Sequence, residues 1–516
     1  MLCVISLIVG ISLVSYWDSG RFDEFVDRRL TLSAPERVDD WTHNPASVLV
    51  KFYFYEVINL SAMENKGFNN VKPLLREKGP FVYEERQEKT RVIWNENGTV
   101  SFIPKTTYQF RRDLSVAGDS EPIPVLDAQI VAVENSYNKT WHLQSGMDKY
   151  FGKEGLFWKT WTIPKKIVTT VSVRDHIWGS YHNKLLTFLK DIVAVPDSQY
   201  SKMGGLIGFS GKNYHNEGEE YTMFTGAENI DNLGIITHYK GSRKLNVWVS
   251  DVCDTVSGCD GFTFPGNLKP DVKLSVFQPD LCRPLILDFE EERTYGSLPV
   301  YRYGISKSYL DPYALENQCY CNQVPSHVSC GANGTVSTVN CSNGFQDWPL
   351  VYSKPHFLHA DPQLRAPFKH MNPDESLHDS YFDIVPKMGI PVASKLRLQI
   401  NIEIKESFNT FFRERRPQFT TIAEGIYPIC WFERGYDTLR PSQMSKLTNI
   451  LHWHSNLRWG VGGAMLTLSF VFFFIFIFMI ISPDKYFFYT KEPQRIEVRY
   501  LDVKKLLEES MYGIDT

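Results

Sequence analysis

The 516-residue sequence has no CxxC pair, no HExxH, no P-loop, no GxGxxG and no GxSxG. The first absence argues against a zinc ribbon, whose tetrahedral site needs closely spaced thiolates. The others remove common signatures of metalloproteases, nucleotide-binding folds and serine hydrolases. Gly208-Phe-Ser-Gly211 resembles a nucleophile elbow only superficially. There is no excess of positive charge: the net charge is −4, so no basic field gathers nucleic acid. Internal repeats, low-complexity tracts and long linkers are also missing. With 43% hydrophobic and 22% charged residues, the composition is that of a folded chain, not of widespread disorder. His182, His215 and His238 are too widely spaced to read as a ligand set, and Glu290-Glu-Glu292 reads as a solvated acidic face. No catalytic residue, metal site or cofactor is assigned, and the chain reads as a non-enzyme.

What is present points to an oxidising compartment. There are nine cysteines, and apart from Cys3 they fall between Cys253 and Cys430. Six group tightly: Cys253, Cys282, Cys319, Cys321, Cys330 and Cys341. Five N-glycosylation sequons, at Asn59, Asn97, Asn138, Asn333 and Asn340, share the chain with them. Sequons and cysteines together favour a lumenal or extracellular location, where disulfides persist. Asn340 is the weakest acceptor, because Cys341 occupies its middle position.

Two apolar segments bracket that region. Residues 459–483 carry no charge, with Arg458 before, Lys485 after, and Trp459, Tyr486, Phe487 and Phe488 near the ends. A spanning helix needs about 20 such residues to cross a core of about 30 Å. Residues 1–17 are shorter, and no basic residue precedes the apolar run. Ser15-Tyr16-Trp17 makes a poor signal-peptidase site, so an uncleaved anchor is the better reading. The expected layout is a first membrane helix at 1–17, an exported ectodomain at 18–457, a second membrane helix at 458–482 and a cytosolic tail at 483–516.

Between the anchors the pattern is β-dominated. In 396–405, Leu396, Leu398, Ile400, Ile402 and Ile404 alternate with Arg397, Gln399, Asn401, Glu403 and Lys405, which predicts a strand with one buried face. Residues 47–57 predict an aromatic-rich strand. Residues 90–94 and 99–103 flank Asn95-Glu-Asn-Gly98 and predict a hairpin; 235–239 and 245–249 flank Gly241-Ser242 and predict another. Trp178, Tyr181, Leu185, Leu189 and Ile192 recur at helical spacing and predict an amphipathic helix with a core-facing stripe. The tail carries two sorting-like patterns: an acidic dileucine in Asp502, Leu506 and Leu507, and a tyrosine signal in Tyr500 and Val503. Such apolar anchors fit the groove of an endocytic adaptor. One side of a short helix explains the same residues equally well.

Several longer stretches carry a resemblance. They are Lys78-Gly-Pro-Phe-Val-Tyr83, Trp178-Gly179, Leu298-Pro-Val-Tyr-Arg302, Pro355-His-Phe-Leu-His-Ala-Asp-Pro362, Tyr381-Phe-Asp-Ile-Val-Pro386, Gly389-Ile-Pro391 and Tyr427-Pro-Ile-Cys-Trp431. In this order, and between two anchors, they make the chain resemble the class B scavenger receptor family. The resemblance implies an α+β, β-dominated fold: an antiparallel β-barrel ectodomain with an apical helical bundle, held by two transmembrane helices. It implies an apolar tunnel passing lipid to the membrane, with fatty acids, sterols, other lipids or lipoprotein particles as partners. The sequence leaves the oligomeric state open, a homo-oligomer included. It implies the pairs Cys253–Cys319, Cys282–Cys341 and Cys321–Cys330. Cys259 and Cys430 depart from the family pattern; they either pair with each other or stay as buried thiols, the latter slightly favoured. Basic residues on the apical helices contact anionic ligands in the family; the corresponding stretch holds Lys159, Lys165 and Lys166, with Lys165–Lys166 the closest match. The implied location is the plasma membrane with both termini cytosolic. The alternatives are an endosomal or lysosomal membrane receptor for a soluble protein partner and, less favoured, a membrane-tethered ectoenzyme.

Overall fold

Strand β1 (Val48–Val57) sets the plan of the molecule: Val48, Val50, Phe52 and Phe54 are buried, while Leu49, Lys51 and Tyr53 on the opposite face are only partly so. Side chains of a pleated strand point alternately to its two faces, so one side of this strand lines a core. The computed structural model describes residues 35–66, 71–127, 168–178, 215–338, 350–404, 423–456 and 463–481, except 45, 325 and 326, together with a few isolated positions.

Ten more strands continue the sheet. They are β2 (Leu75–Trp94), β3 (Thr99–Phe110), β4 (Tyr221–Phe224), β5 (Ile236–Tyr239), β6 (Leu274–Gln278), β7 (Arg283–Tyr295), β8 (Leu298–Ile305), β9 (Tyr381–Val385), β10 (Ile390–Ile404) and β11 (Gly425–Tyr436). Their order is β5-β4-β3-β2-β1-β11-β10-β9-β8-β7-β6, antiparallel at every step. Three short strands bring the described sheet to 14: His215–Glu217 pairs with β3, Leu350–Ser353 with β10, and Thr335–Ser337 with Leu350–Ser353.

The two edges of this path nearly meet. Ile236 N–H in β5 donates to Gly258 O at 2.8 Å, and Cys259 exchanges bonds with β6 through Ser275 O at 2.9 Å and Phe277 N at 2.8 Å. Residues 258–259 thus join both edges, and the sheet is a nearly closed antiparallel barrel. Gly258 has φ +99°, and a Cβ there would sit 3.0 Å from Phe277 N and Ser275 O. The seam therefore admits only glycine without a shift in β6.

The pairing Leu49 to Gly435 puts the start of β1 and the end of β11 at one rim. Helix α1 (Pro35–Thr42) precedes β1 and helix α2 (Pro441–Asn456) follows β11. The two touch: Lys446 Nζ lies 2.9 Å from Asp40 Oδ2. Both ends of the folded unit therefore leave from the same rim.

Two expectations change. Strand β10 buries both faces, not one: Arg397, Gln399 and Asn401 are only 5%, 0% and 0% exposed. The segment that follows Leu350–Ser353 covers the side on which these polar groups lie: His356 N–H donates to Gln399 Oε1, and Arg397 donates to Asp379 O. Residues 245–249 form no strand. Their backbone is captured by the buried Asp254 carboxylate, which accepts from Asn246, Val247 and Trp248 N–H at 3.1, 2.7 and 2.9 Å. That leaves too few donors for a ladder with β5. The hairpin around Asn95–Gly98 does form, between β2 and β3. A short helix, Val173–Trp178, ends where the expected amphipathic helix begins; the rest of that helix lies outside the described residues, as do 132–167 and 179–214, where the apical helices are expected.

By internal contacts the chain divides into residues 24–451 and a second unit made of 1–23 with 452–516. In the second unit, helix α3 (Gly463–Ile481) has 19 residues and no charge. At about 1.5 Å per residue it spans about 28 Å, against a hydrocarbon core of about 30 Å. No described helix is by itself long and apolar enough to cross a membrane. The expected first span, 1–17, lies almost wholly outside the described residues.

Candidate functional site

The barrel interior is lined by apolar and aromatic side chains. Phe52 packs on Tyr83 and Phe432 at 6.1 and 6.2 Å, and Phe54 on Phe81 at 6.2 Å, mostly edge to face. Such pairs add a modest stabilisation beyond burial itself. Two groups of polar side chains stand out against this core.

The first lies inside, at the rim where the chain ends meet. Arg434 on β11 makes a bidentate pair with Glu85 on β2 at 2.5 and 2.8 Å. Burial lowers the Arg434 pKa, but the charge of Glu85 outweighs it and holds the guanidinium above its usual range. Lys89 donates to Trp41 O at 3.1 Å, lies 3.6 Å from Asp260 and sits 5.0 Å above the Trp41 ring. Burial pushes its ammonium below the usual range, and Asp260 only partly offsets this. Helix α1 thus plugs the rim with Trp41, which also packs on Phe102 at 5.1 Å. Beside Arg434 and Asp260 is a cavity of about 20 Å³. That holds one water, not a lipid chain.

The second group is on the outer face and draws on four distant parts of the chain. Glu77 of β2 accepts from Trp431 Nε1 of β11 at 2.8 Å and faces His356 Nε2 at 2.9 Å. Burial pushes the Glu77 carboxyl up, but these two hydrogen bonds outweigh it and hold the group below its usual range. The His356 ring stacks on His378 at 4.3 Å and 22°. His356 Nδ1 accepts from Asn372 N–H at 3.1 Å, and His378 Nδ1 accepts from Asp374 N–H at 2.8 Å. An accepting Nδ1 leaves the ring proton on Nε2. Neither imidazole then offers a lone pair to a metal, and no group of three metal-ligating side chains occurs among the described residues. Below the histidines, Gln399 Oε1 accepts from Tyr55 Oη and His356 N–H, both at 2.7 Å, so the buried polar face of β10 is satisfied. Sequence reasoning singled out the stretches containing His356 and Trp431 without giving them a role. No local signal could have joined them.

The cysteine-rich flank contains Cys253–Cys319 and Cys321–Cys330. Cys282 is also disulfide-bonded, while Cys341 lies outside the described residues. Cys259 and Cys430 are buried free thiols, and burial pushes both well above the usual thiol range. They are inert packing residues in separate places, Cys259 at the barrel seam and Cys430 in β11.

The expected ligand residues Lys159, Lys165 and Lys166 lie outside the described residues, as do Asn138, Asn340 and the tail positions Tyr500, Asp502, Val503, Leu506 and Leu507. Asn97 is exposed at the β2–β3 hairpin tip, where Thr99 Oγ1 donates to its Oδ1 at 2.7 Å, and Asn333 is exposed in a turn. Asn59 is different: its Nδ2 donates to Lys72 O and its Oδ1 accepts from Leu74 N–H, both at 2.9 Å.

Fold and chemistry together define a disulfide-stapled antiparallel barrel protein. The chain belongs to the CD36 family, whose family model matches residues 1–480. It is similar to scavenger receptor class B member 1 of Rattus norvegicus, 27% identical over 444 residues, covering 84% of this chain and 80% of that protein. Lysosome membrane protein 2 of Homo sapiens is 28% identical over 387 residues, covering 74% and 75%. Sensory neuron membrane protein 2 of Heliothis virescens is 27% identical over 453 residues, covering 84% and 83%. The chain is of the class B scavenger receptor and lysosomal membrane protein kind.

Proposed function

We propose that the protein is a cell-surface receptor that binds lipids and lipoprotein particles and passes lipid through an apolar passage to the membrane. The observation that carries this is the apolar interior of a nearly closed barrel in a CD36-family chain. A methylene gains about 0.8 kcal/mol on leaving water, so an enclosed apolar route spares a lipid tail the cost of crossing solvent. No covalent chemistry is needed.

In this reading residues 1–17 and 458–482 anchor residues 18–457 outside the cell, and residues 483–516 form a cytosolic tail. Two observations support the double anchor. The ends of the folded unit meet at one rim through Asp40 and Lys446. Helix α3 also exposes Phe470, Phe474 and Phe476, as a lipid-facing helix does. Cys282 is assigned to Cys341. Glycans are assigned to Asn97, Asn138, Asn333 and Asn340; Asn59, with its amide engaged on both sides, is a poor acceptor. Lys165 and Lys166, with Lys159, are assigned to anionic ligands.

The decisive measurement is mass spectrometry of lipid copurifying with the protein, followed by transfer of that lipid into vesicles. Copurified lipid and transfer are expected; a lipid-free protein that transfers nothing overturns the passage. Charge reversal of Lys165 and Lys166 should weaken binding to anionic lipid particles in a salt-sensitive way. Unchanged binding at low salt removes those lysines from the site.

The second reading is an endosomal or lysosomal receptor for a soluble protein partner. It is favoured by the similarity to lysosome membrane protein 2 and by the pattern Asp502, Leu506, Leu507, which suits an adaptor. Steady-state location in cells separates the two.

A further inference from the structure

The inner rim, where α1 enters the barrel, holds one cation more than its carboxylates match. Lys89 is matched by Asp260 at 3.6 Å, and Arg434 by Glu85 at 2.5 and 2.8 Å. Asp40 of α1 is matched by Lys446 at 2.9 Å. Arg37 of α1 is left over. Its Nε is shut off from solvent and has no hydrogen-bond partner among the described residues. Asp40 and Asp260 favour its charge, but burial outweighs both and pushes the guanidinium down to about 10.

A second orphan donor sits one helical turn on. Trp41 is 5% exposed, and its Nε1 is likewise buried with no partner among the described residues. Positions four apart share one face of a helix, so Arg37 and Trp41 belong to the same side of α1. Lys89 Nζ lies 5.0 Å from the Trp41 ring and spends one of its three N–H groups on Trp41 O at 3.1 Å.

We propose that these groups form a site for the singly charged oxyanion head of an amphiphile, a carboxylate or a phosphodiester, with Arg37, Trp41 and Lys89 as its donors. The site rests on the lipid passage proposed above and gives it a preference for anionic over neutral lipid.

The chemistry follows from what the rim lacks. Buried N–H groups without an acceptor, and a buried charge without a counter-ion, both cost free energy. Water supplies an acceptor but no charge. An oxyanion supplies both, and the resulting bonds are charge-assisted. A carboxylate has about four lone-pair sites, enough for the two orphan donors and a spare N–H of Lys89. Asp260 cannot turn to serve Arg37, because its Oδ1 accepts from Phe262 and Thr263 N–H, both at 2.9 Å. Its Oδ2 stays beside Lys89, and that nearby negative charge limits the site to a single anionic group. The adjoining cavity, lined by Asp260 and Arg434 and walled by Val48, Val276, Phe382 and Leu396, takes one oxygen of the head and not the tail. Both ends of the folded unit leave from this rim, so the head sits at the mouth next to the proposed anchors.

Equilibrium binding to the purified full-length protein in non-ionic detergent tests the site, with oleate set against oleyl alcohol and dioleoylphosphatidylglycerol against dioleoylglycerol. At least one of the two anions should bind about tenfold more tightly than its uncharged counterpart, and that one identifies the head. Trp41→Phe removes an N–H that no described residue accepts and keeps the ring on Phe102. Arg37→Met removes the leftover charge and keeps much of the side chain's length. Each should weaken binding of the anion about tenfold and of the neutral counterpart far less. Should Arg37→Met not fold, Trp41→Phe carries the test alone. Equal affinity for anion and neutral lipid overturns the head site and leaves the passage standing. A preference that survives both variants places the anion elsewhere and also overturns it. Displacement of the bound anion by inorganic phosphate reduces the rim to a site for a free ion, which overturns the amphiphile. A protein that binds none of the four lipids loses the passage itself.

Discussion

His176 shows how one buried ring links pH to stability. It lies in the short helix Val173–Trp178, packs 5.7 Å from Phe54, and faces Ile123 O at 3.2 Å through Nε2. Burial pushes its pKa down to about 4, which the Ile123 carbonyl only partly opposes. The unfolded chain takes up this proton near its ordinary value, about 6.5, so the folded state loses ground as pH falls from there towards 4. The loss from this group is on the order of 3 kcal/mol at pH 4. Replacing it, as His176→Gln, keeps a donor for Ile123 and should flatten the fall of Tm between those pH values. The outer cluster shows where residue-level reading of the sequence stops. Glu77, His356 and Trp431 look like ordinary polar or aromatic positions, and 279 and 354 residues separate Glu77 from its two partners. Only the closed sheet brings them together.

Among the elements, β10 was the most legible, and legible on one side only. Its alternating Leu and Ile residues announce a core-facing side, and Ile400 and Ile402 are fully buried there. Its polar side is buried because the segment after Leu350–Ser353 folds over it, with His356 N–H donating to Gln399 and Arg397 donating to Asp379 O, and a strand's own alternation cannot report what lies on top of it. The stretch 245–249 misleads for the opposite reason: its composition suits a strand, but Asp254 offers its N–H groups a stronger acceptor than a neighbouring backbone. The barrel seam was invisible in the sequence, since it depends on two residues, Gly258 and Cys259, in an irregular loop. Gly258→Ala should cost about 2 kcal/mol through positive φ and contact with β6. Chemical denaturation should show it, with faster exchange at Ile236 and Phe277 than elsewhere in the sheet.

For the whole molecule, the double anchor proposed above predicts two separate attachments, since both ends of residues 24–451 leave from one rim. Removal of residues 463–481 should leave the protein attached through its first apolar segment, and removal of both should release residues 24–451 in folded form. Alkaline extraction of membranes checks the first expectation, and circular dichroism of the secreted product the second. A single deletion that frees the protein would count against the double anchor.

The neighbour that β1 acquires last is also the last strand to be made. Lys51 and Glu433 pair at 2.8 Å across that join, 382 positions apart. A ribosome therefore releases the first strand long before its partner exists, and through nearly all of synthesis the cylinder stands open along that line. Chains halted before Gly425 keep β1 and β10 as bare edges, the kind that template aggregation. Until this last of the described strands arrives, the sheet cannot close between β1 and β10.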